Sequence, residues 1–274
     1  KVARGGYKRG SLNRDGATAA FVVAALAFSC SLRSGMTLLV FYKTGSMLTK
    51  VGASVKNKLE DGYAAEGQRG ASQVLACSAI AVACAVARRL LVGTDGPIDL
   101  ADVQCLGNRL TLAFVAFFAC CAGDTYASEL GILSRSPPRI VTQPWKVAPP
   151  GTNGGITALG TLASAGGGVC MGLCHAVFLG PLLPPSAHEC AALTYVGLLA
   201  GVGGSILDSL LGATVQATYY DEERKLIVKK QSAATKCVSG FPLLSNEMVN
   251  FVSTTAVALL AALAPQPLLG WLAV

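Results

Sequence analysis

Leu110-Thr-Leu-Ala-Phe-Val-Ala-Phe-Phe-Ala-Cys-Cys-Ala-Gly-Asp124-Thr-Tyr-Ala-Ser-Glu129-Leu-Gly131 is the stretch that decides the fold. Leu110 to Ala122 is uncharged and apolar, and two carboxylates close it. A third acid stands inside another apolar stretch, Gly203-Gly-Ser-Ile-Leu-Asp208-Ser-Leu-Leu-Gly212-Ala-Thr214. A charged side chain at bilayer depth is costly, so it normally faces a polar cavity or a partner. Small residues beside each acid (Gly123, Ser128, Gly204, Ser205, Ser209, Gly212) let helices approach closely or leave room for a ligand. Acids paired with Arg or Lys for structure are one reading. A polar site inside a membrane protein is the expectation.

Composition agrees. The 274 residues are 52% hydrophobic and 14% charged, with a mean hydropathy of +0.53. A soluble domain carries about 25% charged residues, so the chain falls in the membrane class. Crossing the hydrocarbon takes about 20 apolar residues per helix. Windows near that length fall at about 72–92, 109–133, 156–182, 190–218 and 248–270. An earlier block, about 17–48, is broken at Ser31-Leu-Arg-Ser-Gly35 and reads as two short helices or a hairpin. The expected fold is an all-α polytopic transmembrane helix bundle of about seven segments, several short or broken. It forms one domain over 1–274, with a basic segment at 1–16, a Pro/Gly loop at 134–155 and a basic loop at 219–247.

The net charge of +7 lies in loops rather than in a nucleic-acid patch. Lys1, Arg4, Lys8, Arg9 and Arg14 precede the first segment, and Lys50, Lys56, Lys58 and Arg69 follow the second. Arg135, Arg139 and Lys146 follow the fourth, and Arg224 to Lys236 the sixth; the stretch 94–106 is acidic through Asp95, Asp99 and Asp102. With seven helices the basic loops share one side, as the positive-inside rule requires, with Arg88 and Arg89 as the exception. The partners expected are a lipid bilayer and a ligand of the acids, with no nucleic acid and no assignable oligomeric state. The ten cysteines are scattered and Cys170-x3-Cys174-His175 has no second ligand pair, so both read as small core residues. His175 reads as core or pore, His188 as loop, and the run 221–236 as a solvated loop of alternating charge. Trp271, near the end of an apolar tail, reads as an interfacial anchor. Opening on Lys1 fits removal of a targeting peptide and leaves the compartment open.

On this topology the polar motifs meet at the basic side. Asp124 and Glu129 close the fourth helix, and Asp208 and Gln216 lie toward the end of the sixth. Asn246 and Asn250 begin the seventh; Glu66, Gln68 and Arg69 begin the third. Lys146-Val-Ala-Pro-Pro-Gly151-Thr-Asn-Gly-Gly155 has the makings of a phosphate cradle, with glycines turning N–H groups toward an anion at a helix start. A plain flexible turn explains the same residues, and the order of a Walker A loop is missing. Asp124 and Asp208 are candidates to share a divalent cation, since hard Mg2+ prefers carboxylate and polyphosphate oxygens. Two acids, one metal, a Lys and an Arg suffice for phosphoryl transfer, which needs mainly positioning and charge neutralisation. Glu129 is a candidate to orient a phosphate or act as a base.

The same residues carry a family resemblance. Gly10-Ser-Leu12, Gly67-Gln-Arg69, Gln73-Val-Leu75, Gly123-Asp-Thr-Tyr-Ala-Ser-Glu-Leu-Gly131, Val147-Ala-Pro-Pro-Gly-Thr-Asn-Gly-Gly-Ile156, Leu159-Gly-Thr161, Asp208-Ser-Leu-Leu-Gly-Ala-Thr214 and Asn246-Glu-Met-Val-Asn250 span nearly the whole chain in order. The chain resembles the family of animal transmembrane protein 19 and the plastid phytyl-phosphate kinase of vitamin E (tocopherol) synthesis. It is more distantly similar to CTP-using membrane enzymes such as dolichol kinase. The resemblance implies a polytopic kinase that converts an isoprenyl monophosphate (phytyl, geranylgeranyl or farnesyl) to the diphosphate with CTP or another nucleoside triphosphate and Mg2+. It implies a chloroplast envelope or endoplasmic reticulum membrane. Asp124, Glu129 and Asp208 would then be catalytic, Asp124 and Asp208 holding the metal. Gln68, Arg69, Lys146, Gly151, Thr152, Asn153, Gly154 and Gly155 would bind nucleotide or phosphate, supported by Ser128, Ser209, Asn246 and Asn250. Gly70, where the family pattern has Asn, and Glu247, where a second Asn is common, depart from it. A transporter using the acids, or a non-catalytic assembly subunit, are the alternatives.

Overall fold

The computed structural model describes residues 2–59, 61, 68–93, 95–98, 102, 105–179, 185–228 and 231–263. After a short α1 (Val2–Lys8), Asn13 caps α2 (Arg14–Cys30) by accepting from the Gly16 N–H at 2.7 Å. Ser31 alone breaks the first apolar block: its backbone is extended, it ends α2, and its hydroxyl accepts from the Ser34 N–H to begin α3 (Leu32–Lys56). The two helices pack on one another as a hairpin. Gly70 begins α4 (Ala71–Ala76), and a break at Cys77 and Ser78 leads into α5 (Ala79–Leu91).

α6 (Leu106–Gly131) is the axis of the molecule. Its residues from Leu112 to Gly123 are all buried, so this helix is apolar all round because other helices surround it. Phe114, Phe117 and Phe118 fill the centre, with Phe41 of α3 against Phe118 at 5.6 Å between rings. α7 (Ala158–Val177), α8 (Ala187–Val215) and α9 (Asn246–Ala262) complete the bundle around it. α7 and α8 meet along glycines: a methyl built on Gly201 would stand 2.7 Å from the Gly168 Cα and 2.8 Å from the Ser164 carbonyl oxygen. Only residues without a side chain permit that approach.

α6, α7 and α8 are long and apolar enough to cross a membrane, which is three of the about seven spans expected. α2, α5 and α9 have 17, 13 and 17 residues, short of the roughly 20 a full crossing takes. His188 is not in a loop but exposed in the first turn of α8. Glu66, Trp271 and the end of the last window lie outside the described residues.

The all-α expectation needs correcting, because both basic loops contain sheet. β1 (Arg139–Ile140), β2 (Gln143–Val147) and β3 (Gly155–Ile156) form an antiparallel sheet in the order β2-β1-β3, Pro144 being tolerated because β2 is an edge. β4 (Thr218–Asp221), β5 (Leu226–Val228) and β6 (Thr235–Ser239) form a second, in the order β5-β4-β6. The run 221–236 thus carries parts of all three strands rather than being loop throughout. Its charges drew attention away from Thr-Tyr-Tyr and Leu-Ile-Val, the β-branched and aromatic residues that suit a pleated surface. The chain after α3 joins this sheet: the Asp61 N–H donates to the Ile227 carbonyl at 3.0 Å, and the Ile227 N–H donates to the Leu59 carbonyl at 2.8 Å.

Candidate functional site

A cavity of about 1390 Å³ opens where the C-terminal ends of α3, α6 and α8 meet the starts of α4, α7 and α9 and the two sheets. Gln68, Arg69, Asp124, Ser128, Glu129, Gly151 to Gly155, Asp208, Ser209, Asn246 and Asn250 all line it. Lys146 does not. It is exposed on β2, and its ammonium donates to the Val238 carbonyl at 3.1 Å.

Asp124 and Asp208 enter from α6 and α8, side by side because Gly123 of α6 lies against the Gly201 backbone of α8 and Gly204 against Cys120. Asp208 accepts from the Ser253 hydroxyl at 2.9 Å. Among the described residues neither acid has an Arg or Lys in ion-pair contact, and Asp124 has no hydrogen-bond partner.

Glu129 differs. Its carboxylate takes the Lys56 ammonium of α3 at 3.0 Å, with both side chains 10% exposed, and accepts from the Thr49 hydroxyl at 3.2 Å. Arg69 reaches the same Thr49 oxygen at 3.5 Å. Gly52 lets α3 close on this end of α6: a methyl there would stand 3.0 Å from the Glu129 carbonyl oxygen. Arg69 itself is held through its backbone. Its N–H donates to Ser11 and its carbonyl accepts from Asn13, both at 3.2 Å, and Leu12 between them is buried. The Gly-Ser-Leu motif at the N-terminus therefore positions an arginine of the cavity.

Lys56 and Thr49 were not among the residues expected. Gly45, Thr49, Gly52 and Lys56 recur at intervals of four, three and four, one face of a helix. That spacing is the signal, hidden because α3 runs beyond the apolar block that suggested it.

The glycine loop is braced as a turn. The N–H groups of Thr152, Asn153 and Gly155 donate within the protein, to Pro149, the Thr218 hydroxyl and Thr152. Gly151 and Gly154 have φ of 88° and 76°, and Gly154 packs on Ala213 of α8. The loop forms a wall beside Asp208 rather than an open row of donors. Gln216 donates to Asn246 at 3.4 Å on the far rim, and the Ser128 hydroxyl donates to the Thr125 carbonyl. Behind β5, Arg224 clamps Asp61 through two bonds of 2.9 and 3.1 Å and holds its carboxyl below the ordinary range.

The opposite end of the bundle is ionic and packed. Arg33 at the start of α3, 1% exposed, pairs with Asp95 at 2.6 Å and with Glu189 of α8 at 3.1 Å, and Arg88 of α5 joins Asp95 at 3.0 Å. His175 is a core residue there, stacked on Phe114 and bonded to Thr37. His175 is thus core, one of the two places expected for it, whereas the ion cluster was not anticipated beyond the helix break at Ser31.

As to metal, no group of three His, Cys, Asp or Glu converges among the described residues. Two carboxylates with hydroxyl and amide oxygens beside them still fit a hard cation that draws its remaining ligands from water and phosphate.

Comparison with known proteins places the chain. It is 37% identical to Protein PGR of Arabidopsis thaliana over 269 residues, 96% of this chain and 92% of that one. It is 30% identical to an uncharacterized membrane protein of Methanocaldococcus jannaschii over 190 residues, 69% and 67% of the two chains. It is 26% identical to Protein VTE6, chloroplastic, of Arabidopsis thaliana over 256 residues, 93% and 66%. No solved structure matches. The family described as integral membrane protein DUF92 matches residues 2–258. With an apolar bundle whose acids face a cavity at one end, the chain is a multi-pass integral membrane protein and belongs to the DUF92 family.

Proposed function

We propose that this protein is a membrane-embedded phosphotransferase that extends an isoprenyl monophosphate to its diphosphate with a nucleoside triphosphate as donor. One observation carries the reading: among the described residues Asp124 and Asp208 face a large cavity with no Arg or Lys in ion-pair contact, whereas Asp95, Glu129 and Glu189 each have one. Carboxylates kept unpaired at that depth await a ligand of opposite charge. Mg2+ bound by Asp124 and Asp208 would neutralise donor phosphate charge, which is the chemistry it supplies.

In the transfer, a terminal oxygen of the lipid monophosphate bonds to the donor γ-phosphorus, the β–γ bridge breaks, and nucleoside diphosphate leaves. The chain's part is to hold the two phosphates in line and screen their repulsion. Gly151 to Gly155, Asn246 and Asn250 wall the donor side, and Arg69 supplies positive charge. The resemblance to the plastid phytyl-phosphate kinase supports the substrate class, and a chloroplast or endoplasmic reticulum membrane suits it. A transporter requires a path through the other end, and there Arg33, Asp95 and Glu189 close the bundle.

The test is purified protein with Mg2+, labelled CTP or ATP, and phytyl, farnesyl and geranylgeranyl monophosphates, beside Asp124→Asn. Diphosphate formed by the wild type and lost in the variant is the expected result. No transfer to any lipid from either nucleotide by folded protein overturns the proposal.

A further inference from the structure

Resting on that reading, we infer that the α3 wall of the cavity is a separate subsite for the phosphate of the lipid acceptor, in which Lys56 is the anchor and Glu129 occupies the anion's place until the substrate arrives. The cavity is electrically divided. Asp124 and Asp208 project from α6 and α8, whereas Lys56 from α3 and Arg69 from the segment before α4 stand with Thr49 between them. A polyphosphate donor carrying Mg2+ suits the acidic half. A monophosphate needs cations and hydroxyl donors, and Thr49, Lys56 and Arg69 offer both.

Among the described residues the partly buried Arg69 guanidinium meets no carboxylate, only the Thr49 hydroxyl at 3.5 Å. Glu129 already shows what this wall binds. Its two oxygens take a Lys ammonium and a Thr hydroxyl, two of the contacts a phosphate would make. The glycine loop cannot serve the same role, since its N–H groups are mostly spent and Lys146 lies outside the cavity. Glu129 is therefore a competitor of the substrate, not a base: a lipid phosphate displaces it from Lys56 and adds Arg69.

The inference makes Glu129 and Lys56 act with opposite sign on one equilibrium, which a merely structural ion pair does not. The experiment measures equilibrium binding of farnesyl monophosphate, and of farnesol as control, to the full chain in nanodiscs without nucleotide. Lys56→Met is expected to weaken the monophosphate more than tenfold and to leave farnesol unchanged, with Lys56→Arg restoring most of the loss. Glu129→Gln is expected to tighten it severalfold. Weakening by Glu129→Gln to the level of Lys56→Met, or no effect of Lys56→Met, overturns the subsite. Because the readout is binding, the two proposals fail separately. The expected pattern without phosphoryl transfer leaves the subsite standing and sinks the kinase, and transfer with an unchanged lipid KM in Lys56→Met does the reverse.

Discussion

Two glycines two residues apart on α8 should respond to the same substitution with opposite sign. A methyl on Gly201 would lie 2.7 Å from the Gly168 Cα and 2.8 Å from the Ser164 carbonyl, where ordinary contact begins at 3.4 Å. Gly201→Ala must push α7 and α8 apart by about 0.6 Å, and backbone on both sides offers no flexible group to yield. Overpacking of that kind costs about 1–3 kcal/mol. For a chain of this size that is a fall of roughly 2–12 °C in the unfolding midpoint, at about 2–4 °C per kcal/mol. Gly203 faces outward with nothing within 4 Å of the added methyl. Gly203→Ala gains only helix propensity, up to about 1 kcal/mol, so its midpoint should hold or rise. Thermal unfolding of both variants in one detergent checks this. Phosphoryl transfer should fall in Gly201→Ala alone, because the same residue lies against Gly123 and sets Asp208 beside Asp124. Equal midpoints for the two variants would refute the claim that glycine contact positions the acids.

Two more expectations follow from the ion pairs. Arg33→Leu removes the partner of Glu189, which is 2% exposed, and should cost about 3–5 kcal/mol. A double variant Arg33→Leu/Glu189→Leu should recover much of it; a loss in the double equal to the sum of the singles would count against the cluster as an ion-pair clamp. Asp61 titrates below its ordinary value of about 3.9 because Arg224 bonds its charged form. A depressed folded pKa gives stability that is present above the unfolded value and is lost as pH falls through the folded one. The contact of Leu59 and Asp61 with β5 should therefore hold at pH 5 and loosen only below about pH 4. The Asp61 carboxyl resonance, followed by NMR, should titrate at the ordinary value in Arg224→Ala, and an unchanged midpoint there would remove Arg224 as the cause.

Much of the cavity was legible in the sequence because intramembrane acids are costly and so stand out against an apolar background. Asp124, Glu129 and Asp208 announce themselves in that way, and the alternation of basic and acidic loops brings them to one end. Lys56 was hidden by the opposite effect. A lysine after an apolar block reads as an ordinary basic loop residue, and only the length of α3 brings it back to Glu129. Lys146 misled for the same reason: basic character and a neighbouring glycine loop are local properties, whereas its position is fixed by the register of β2 against β1. The sheets were lost because charge in 219–247 outweighed short strand patterns, and sheet pairing is set by partners distant in the chain. The break was read over Ser31 to Gly35, although Ser31 alone makes it and Arg33 is the buried centre of an ion cluster.

The acids of the bundle fall into two groups, and the grouping separates charge that supports the empty fold from charge that costs it stability. Glu129, Glu189 and Asp95 each have a cation, so removing one charge orphans another. Among the described residues Asp124 and Asp208 have none, so removing their charge orphans no cation there. Asp124→Asn should leave the unfolding midpoint unchanged or raise it while abolishing transfer, because a group kept for ligand binding costs the empty protein stability. Glu129→Gln should lower the midpoint by the equivalent of about 1–3 kcal/mol, less than a fully buried pair because the cavity admits water. Mg2+ extends the contrast without any turnover. Binding to the folded state alone stabilises by about 2.7 kcal/mol at a hundred times the dissociation constant. The ion should raise the midpoint of the wild type and of Glu129→Gln, and not that of Asp124→Asn. A shift in Asp124→Asn as large as in the wild type would place the cation elsewhere and return Asp124 to the structural group.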